Sequence, residues 1–301
     1  MLAFLGAGHT PKHGKYKDTV RRGVQFLKDN QNADGSLGGE GGTALDLRAH
    51  AVCTKALADA FGYGGKDPLF AGTVLKAVEY LASAQTPGAG WGAKKGSPCD
   101  TVTTGWAVYA LFLAKISGLN VPPDSFDAAR KWFNAMTDVT TYRVAFAAVG
   151  DGGADKEFAS ANALTATAAA TIGRIIIQGN TRVNTPELQG GGKLLKQSPP
   201  KWDVQAGTVD VEYWYFGTLA MFQLGRDYWK TWNESMRNAL VPSQRLSTGS
   251  SRTRSGKCEA CADGSWDPVG ARGARKGRVF TTALNTLTLE MFYHYPRLGV
   301  R

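Results

Sequence analysis

The sequence predicts an all-α fold, an α/α toroid in which a ring of inner helices is wrapped by outer helices, with about five full helix pairs and part of a sixth. Three observations predict it. Segments of helical period alternate between an amphipathic, charged kind and a kind apolar on most sides. Glycine-rich turns that share a glutamine, a glycine and an aromatic or leucine join the partners. Landmarks in the apolar segments, Thr43, Thr103, Ala163, Asp210 and Thr281, recur at intervals of 60, 60, 47 and 71 residues, the scale of a helix pair with variable loops. A helix apolar all round has to be buried all round, so the apolar kind forms the inner layer.

The elements follow in order. Leu2-Ala-Phe-Leu-Gly-Ala-Gly8 reads as the last turns of an inner helix with a glycine stop, the partial sixth member. The first outer helix is expected over Tyr16–Gln31, where Val20, Val24, Phe26 and Leu27 form the apolar face. Its successors are expected over Phe70–Gln85, Phe126–Thr137, Glu187–Gln197 and Asp227–Gln244. The inner helices are expected over Thr43–Ala60, Thr101–Ser117, Ser160–Gln178, Val209–Leu224 and Arg278–Tyr295. In the turns Gln31-Asn-Ala-Asp-Gly-Ser-Leu37 and Gln85-Thr-Pro-Gly-Ala-Gly-Trp91, and between Gln244 and Gly264-Ser-Trp266, the glutamine is placed to hydrogen-bond a helix end and the apolar residue to plug the gap between repeats. All of this reads as one domain, 1–301, interrupted by a flexible basic insertion at 245–263.

Composition agrees with a packed domain: 43% of residues are hydrophobic and the 37 glycines cluster between apolar segments. The net charge of +10 favours an anionic partner, and the chain from Pro242 onward carries ten basic residues against four acidic. Four cysteines are too few for a disulfide scaffold and fit a reducing compartment. The opening residues lack the charged lead of a signal peptide and no apolar run reaches membrane-spanning length, so a soluble protein is expected, cytoplasmic if Met1 is the natural start.

The inner-helix pattern Thr282-Ala-Leu-Asn-Thr-Leu-Thr-Leu289, the glutamine-glycine-tryptophan turns and Gly264-Ser-Trp-Asp-Pro268 resemble prenyltransferase and squalene-oxidase repeats. With Asp100-Thr-Val-Thr-Thr-Gly-Trp106 and Asp210-Val-Glu-Tyr-Trp-Tyr-Phe-Gly-Thr-Leu-Ala220, the chain is similar to bacterial squalene-hopene-cyclase-like toroids over nearly its whole length. The resemblance implies a central cavity for an isoprenoid or triterpenoid and acid-initiated cyclisation. The cyclase Asp-x-Asp-Asp acid is matched only by Asp210-Val-Glu212-Tyr213. Thr281 and Thr282 stand where the resemblance to protein prenyltransferases would put the His-Thr-Cys of a zinc site, so no metal and no cofactor are expected.

The candidate catalytic pair is therefore Asp210 and Glu212, with Tyr213, Trp214 and Tyr215 beside it for binding; the alternative is a helix cap with packing aromatics. A second set, Asp100, Trp106 and Tyr109, opens another inner helix, and there Asp100 also has a sufficient role as N-cap to Thr103. Trp266 and Asp267 complete the binding set. Arg272, Arg275, Lys276 and Arg278 form a candidate anion site, joined by Arg252, Arg254 and Lys257, against a solvated basic loop. Cys258 and Cys261 read as thiols rather than half a zinc site, and His294 as structural.

The leading expectation is a cyclase-like toroid holding a hydrophobic small molecule. The competing class is a non-catalytic toroid that serves as an interaction scaffold, with an acidic protein or membrane surface as partner. A third is a polysaccharide lyase or hydrolase, since the basic charge suits a polyanionic sugar. No nucleic-acid motif is present, and the oligomeric state is not legible.

Overall fold

The computed structural model describes residues 1–39, 43–149, 155–156, 160–179, 184–246 and 263–291. The candidate residues Cys258, Cys261, Arg252, Arg254, Lys257 and His294 lie outside them, as does most of the basic insertion.

The fold is an α/α toroid. The inner helices are α3 (Leu47–Tyr63), α5 (Thr101–Ile116), α7 (Ser160–Gln178), α9 (Val211–Leu224) and α11 (Gly270–Leu289), each packed against the next. Helix α1 (Leu2–Gly6), a single short stretch, occupies the sixth position and packs against both α11 and α3, closing the ring. The outer helices are α2 (Lys17–Asp29), α4 (Pro68–Ser83), α6 (Pro123–Met136), α8 (Pro186–Gln197) and α10 (Arg226–Leu240). Helices α4, α6 and α8 each lie between two successive inner helices, while α2 packs on α3 and α10 on α9. Two short antiparallel ladders, β1 (Trp91–Gly92) with β2 (Cys99–Asp100) and β3 (Ala148–Val149) with β4 (Asp155–Lys156), decorate the loops.

The layers follow from composition. Nearly every side chain of α5 and α9 is buried, whereas α2 and α10 bury only one face. Each fully buried large apolar side chain contributes about 1.5–3 kcal/mol. Two helix starts differ from expectation by four residues or more. Helix α3 begins at Leu47 rather than Thr43 because the Asp46 carboxylate accepts the Ala49 N–H at 2.7 Å and so caps it. Helix α11 begins at Gly270 rather than Arg278 and is broken at Gly277, whose φ of 87° lies in the left-handed region.

The repeated turns act as mortar between repeats. Gln31 Nε2 donates to Gly35 O in its own turn and to Thr73 O on α4; Gln85 Nε2 donates to Ala89 O and to Ser125 O on α6, each at 2.9 Å. Trp91 and Trp266 bury their rings and donate through Nε1 to Leu81 O and Leu240 O of the preceding outer helices. The backbone N–H of each plug residue is taken by the following inner helix: Leu37 by His50 Nδ1, Trp91 by Thr104 Oγ1, Trp266 by Thr282 Oγ1. Replacing Gln85 by leucine removes both carbonyl partners. The expected result is a loss of about 1–3 kcal/mol in urea unfolding, from two net hydrogen bonds.

The closing seam holds a group of unusual proton affinity. Glu290, at the end of α11, lies against Gly6 of α1, its Oε2 is buried with no hydrogen-bond partner among the described residues, and burial pushes its carboxyl up to about 7. A folded-state value above the ordinary 4.5 means the folded chain holds this proton more tightly than the unfolded chain. Stability therefore falls as pH rises from about 4.5 to about 7. In Glu290→Gln that decline is expected to flatten, as read by thermal unfolding at a series of pH values.

Candidate functional site

The N-terminal ends of the inner helices gather three carboxylates and two guanidiniums at one mouth of the ring. Asp100 caps α5, accepting the Thr103 N–H at 2.7 Å, and Asp210 caps α9, accepting the Glu212 and Tyr213 N–H groups. Arg48, in the first turn of α3, reaches Asp100 at 3.0 Å, Thr103 at 3.1 Å and Glu212 at 3.8 Å. From α11, one nitrogen of Arg272 contacts Asp210 at 3.2 Å and Glu212 at 2.9 Å. The Thr165 hydroxyl of α7 donates to Asp210 at 3.0 Å, and Trp106 Nε1 of α5 donates to Glu212 at 2.8 Å. Every full inner helix contributes to this network.

The two acids of α9 differ in access. The Glu212 side chain is 5% exposed and the Asp210 side chain 24%. Burial pushes the Asp210 carboxyl above its ordinary value; the Arg272 charge and the Tyr213 N–H oppose that shift, and the neighbouring Glu212 charge adds to it.

Asp210 stands on the wall of a cleft of about 900 Å³. The connection between α8 and α9 forms one side with Pro199, Pro200 and Lys201, and α11 supplies Arg272 and Arg275. Tyr213 and Trp214 also line it, and the Tyr213 hydroxyl donates to Ser198 O at 2.6 Å while burial raises its proton affinity. Gly270 lets α11 approach: its φ is 73°, and a Cβ there would strike the Val209 carbonyl. Gly270 and Gly277 thus bracket the short helical segment that carries both arginines over the cleft.

The predicted site residues separate into three places. Asp100, Asp210, Glu212, Tyr213, Trp214, Arg272 and Arg275 meet at the mouth or cleft. Trp106, Tyr109 and Tyr215 instead fill the centre. Trp106 stacks on Tyr215 at 5.3 Å and meets Phe216 at 4.8 Å, although α5 and α9 are not ring neighbours, so these contacts cross the axis. Lys55 of α3 lies over the Tyr109 ring at 4.9 Å and pairs with Asp59 at 2.8 Å. This interior of aromatics and a buried ion pair corrects the expected central cavity for a hydrophobic ligand. Trp266 is a turn plug, and Asp267 is held at the ring's flank by Arg245 and Arg278, whose hydrogen bonds outweigh its partial burial and lower its proton affinity. Lys276 is exposed beside them on α11.

Sequence reading missed Arg48, Thr165 and Lys201. Arg48 had a signal: a cation in the first turn of an inner helix, two residues after a capping aspartate. Lys201 had none beyond its place in a proline-flanked loop.

No helix among the described residues is long and apolar enough to cross a membrane. No family model matches the chain, and no curated protein matches it in sequence. Among solved structures it is similar to an α-1,6-mannanase, GH76A of Salegentibacter sp. HEL1_6, an inactive variant with two adjacent aspartates changed to asparagine, in complex with α-1,6-mannotriose. The identity is 10% and the TM-score 0.56, over 92% of this chain and 98% of that one. This finding overturns the resemblance to squalene-hopene cyclases and prenyltransferase repeats, and with it the terpenoid, isoprenoid-binding reading. The turn motifs that suggested it are the mortar of the ring and do not mark one family. No two aspartates are consecutive in this sequence, unlike the pair changed in that mannanase. What the likeness shows is the fold, an α/α toroid.

Proposed function

We propose that this chain binds a glycan in the mouth cleft and hydrolyses a glycosidic bond there, with Asp210 as the proton donor. The observation that carries the reading is a cleft-wall carboxyl whose proton affinity is raised by burial and by an adjacent acid. Asp210 gives its proton to the bridging oxygen as the C1–O bond breaks, and water adds at C1, losing a proton that restores the Asp210 carboxyl. Glu212 is a positioning residue: buried and bonded by Trp106 and Arg272, it fixes Arg272 against Asp210 and its charge helps Asp210 keep the proton. The fold's likeness to a glycoside hydrolase supports the reading.

Incubation with a panel of neutral and acidic polysaccharides is expected to release reducing ends. Asp210→Asn is expected to lower that rate by about 10²–10⁴-fold, the span of general acid catalysis. Release of no reducing ends by the wild-type chain would overturn hydrolysis, and an unsaturated product would assign elimination instead. A non-catalytic toroid is the second reading, favoured by the guanidinium held against each of the three mouth carboxylates. It predicts glycan retention without cleavage.

A further inference from the structure

We infer that the glycan taken by the mouth cleft is anionic, bearing carboxylate or sulfate groups recognised by Arg275 and Lys201; this rests on the glycan reading above. The cleft wall carries three cations, Lys201, Arg272 and Arg275, and one carboxylate, Asp210. Arg272 is engaged by Asp210 and Glu212, so its charge is already matched inside the protein. Arg275, one turn further along the same segment, is exposed and makes no ion pair among the described residues. Lys201, across the cleft on the α8–α9 connection, is 70% exposed and shares its charge with Asp203 at 3.1 Å. Cations thus stand on both sides of a cavity whose one lining carboxylate, Asp210, is already matched by its own arginine. A neutral sugar offers Arg275 only uncharged hydroxyl acceptors. An acidic one offers its planar fork a carboxylate or sulfate in bidentate geometry, with Lys201 as a second point charge. Of the apolar residues lining the cleft, half-buried Pro199 offers a face to a sugar ring between these cations, while Pro200 and Trp214 are buried behind it.

The test is binding of the full chain, carrying Asp210→Asn to prevent turnover, to four probes by calorimetry: a polyuronate, the same polymer with its carboxyls reduced to alcohols, a sulfated polysaccharide and a neutral mannan. At least one acidic polymer is expected to bind about tenfold or more tightly than the two neutral ones, and to weaken as added salt shortens the screening length from about 10 Å at 0.1 M to about 3 Å at 1 M. The arms identify the acidic group, since loss on carboxyl reduction assigns the uronate and preference for the sulfated polymer assigns the sulfate. Arg275→Ala and Lys201→Ala are each expected to weaken the acidic polymer about three- to tenfold, the worth of a charge-assisted hydrogen bond in a solvated cleft. Lys131→Ala, on the exposed face of α6, is expected to leave it unchanged. Equal affinity for neutral and acidic polymers overturns this inference while leaving the glycan reading intact. Equal loss in Lys131→Ala also overturns it, because binding then follows overall charge. Binding of none of the four overturns the glycan reading itself.

Discussion

Replacing Lys55 by methionine is expected to destabilise the chain by about 3–5 kcal/mol, the cost of leaving one member of a buried ion pair without its partner. The Lys55 and Asp59 side chains are 0% and 2% exposed, one helical turn apart on α3, and meet at 2.8 Å. The Asp59 charge raises the proton affinity of Lys55 against the opposing effect of burial. Without the ammonium, Asp59 must either stay charged in an apolar interior or take up a proton, and both are costly. Lys55 also lies over the Tyr109 ring, so an aromatic contact is lost as well. Adding Asp59→Leu to Lys55→Met is expected to restore most of the stability, because paired apolar replacements of a buried salt bridge are close to neutral or better. Urea unfolding of the single and double variants checks this. A single variant as stable as the wild type would show that the pair is not sealed from water.

Replacing Arg272 by methionine is expected to cost about 2–4 kcal/mol near neutral pH, because two carboxylates lose a shared guanidinium and are left facing one another. The sign of its pH dependence follows from linkage. With Arg272 present, the Asp210 carboxyl already lies above its ordinary 3.8. Removing Arg272, which lowers it, moves that value further up. Groups whose folded-state proton affinity exceeds the unfolded one destabilise the fold as pH rises past the unfolded value. The deficit relative to wild type is therefore expected to be largest at neutral pH and to shrink as pH falls toward about 4. Unfolding midpoints at a series of pH values test this; a deficit that does not change with pH would mean that Arg272 contributes packing alone.

The ring was legible because its determinants are local. Period and composition separate inner from outer helices, and the turn pattern of Gln31, Gln85 and Gln244 marks where repeats join. The site was only half legible, for a physical reason. Asp100 and Asp210 announce themselves as caps, but their partners Arg48 and Arg272 come from helices far away in sequence, and no local pattern records that pairing. Trp106 and Tyr215 illustrate the opposite error. An aromatic on an inner helix has the same sequence signature whether it lines a cavity or fills one, and only the meeting of α5 with α9 across the axis decides it. The likeness to terpenoid cyclases failed similarly, since the residues that carried it join repeats and would serve any closed ring of this kind.

That closure has a mechanical consequence. In an open stack of helix pairs, each end unit is held on one side only and unravels first, so protection against hydrogen exchange falls off toward the ends. Here α1 sits between α11 and α3, so no full helix pair is left with a bare flank. Opening the ring anywhere must break an inner-layer contact, and at the Gln31 and Gln85 turns a glutamine bridge as well, after which the neighbours become ends. The five inner helices should accordingly exchange as a single cooperative unit, with α1, small and held against Glu290, as the latch whose release comes first.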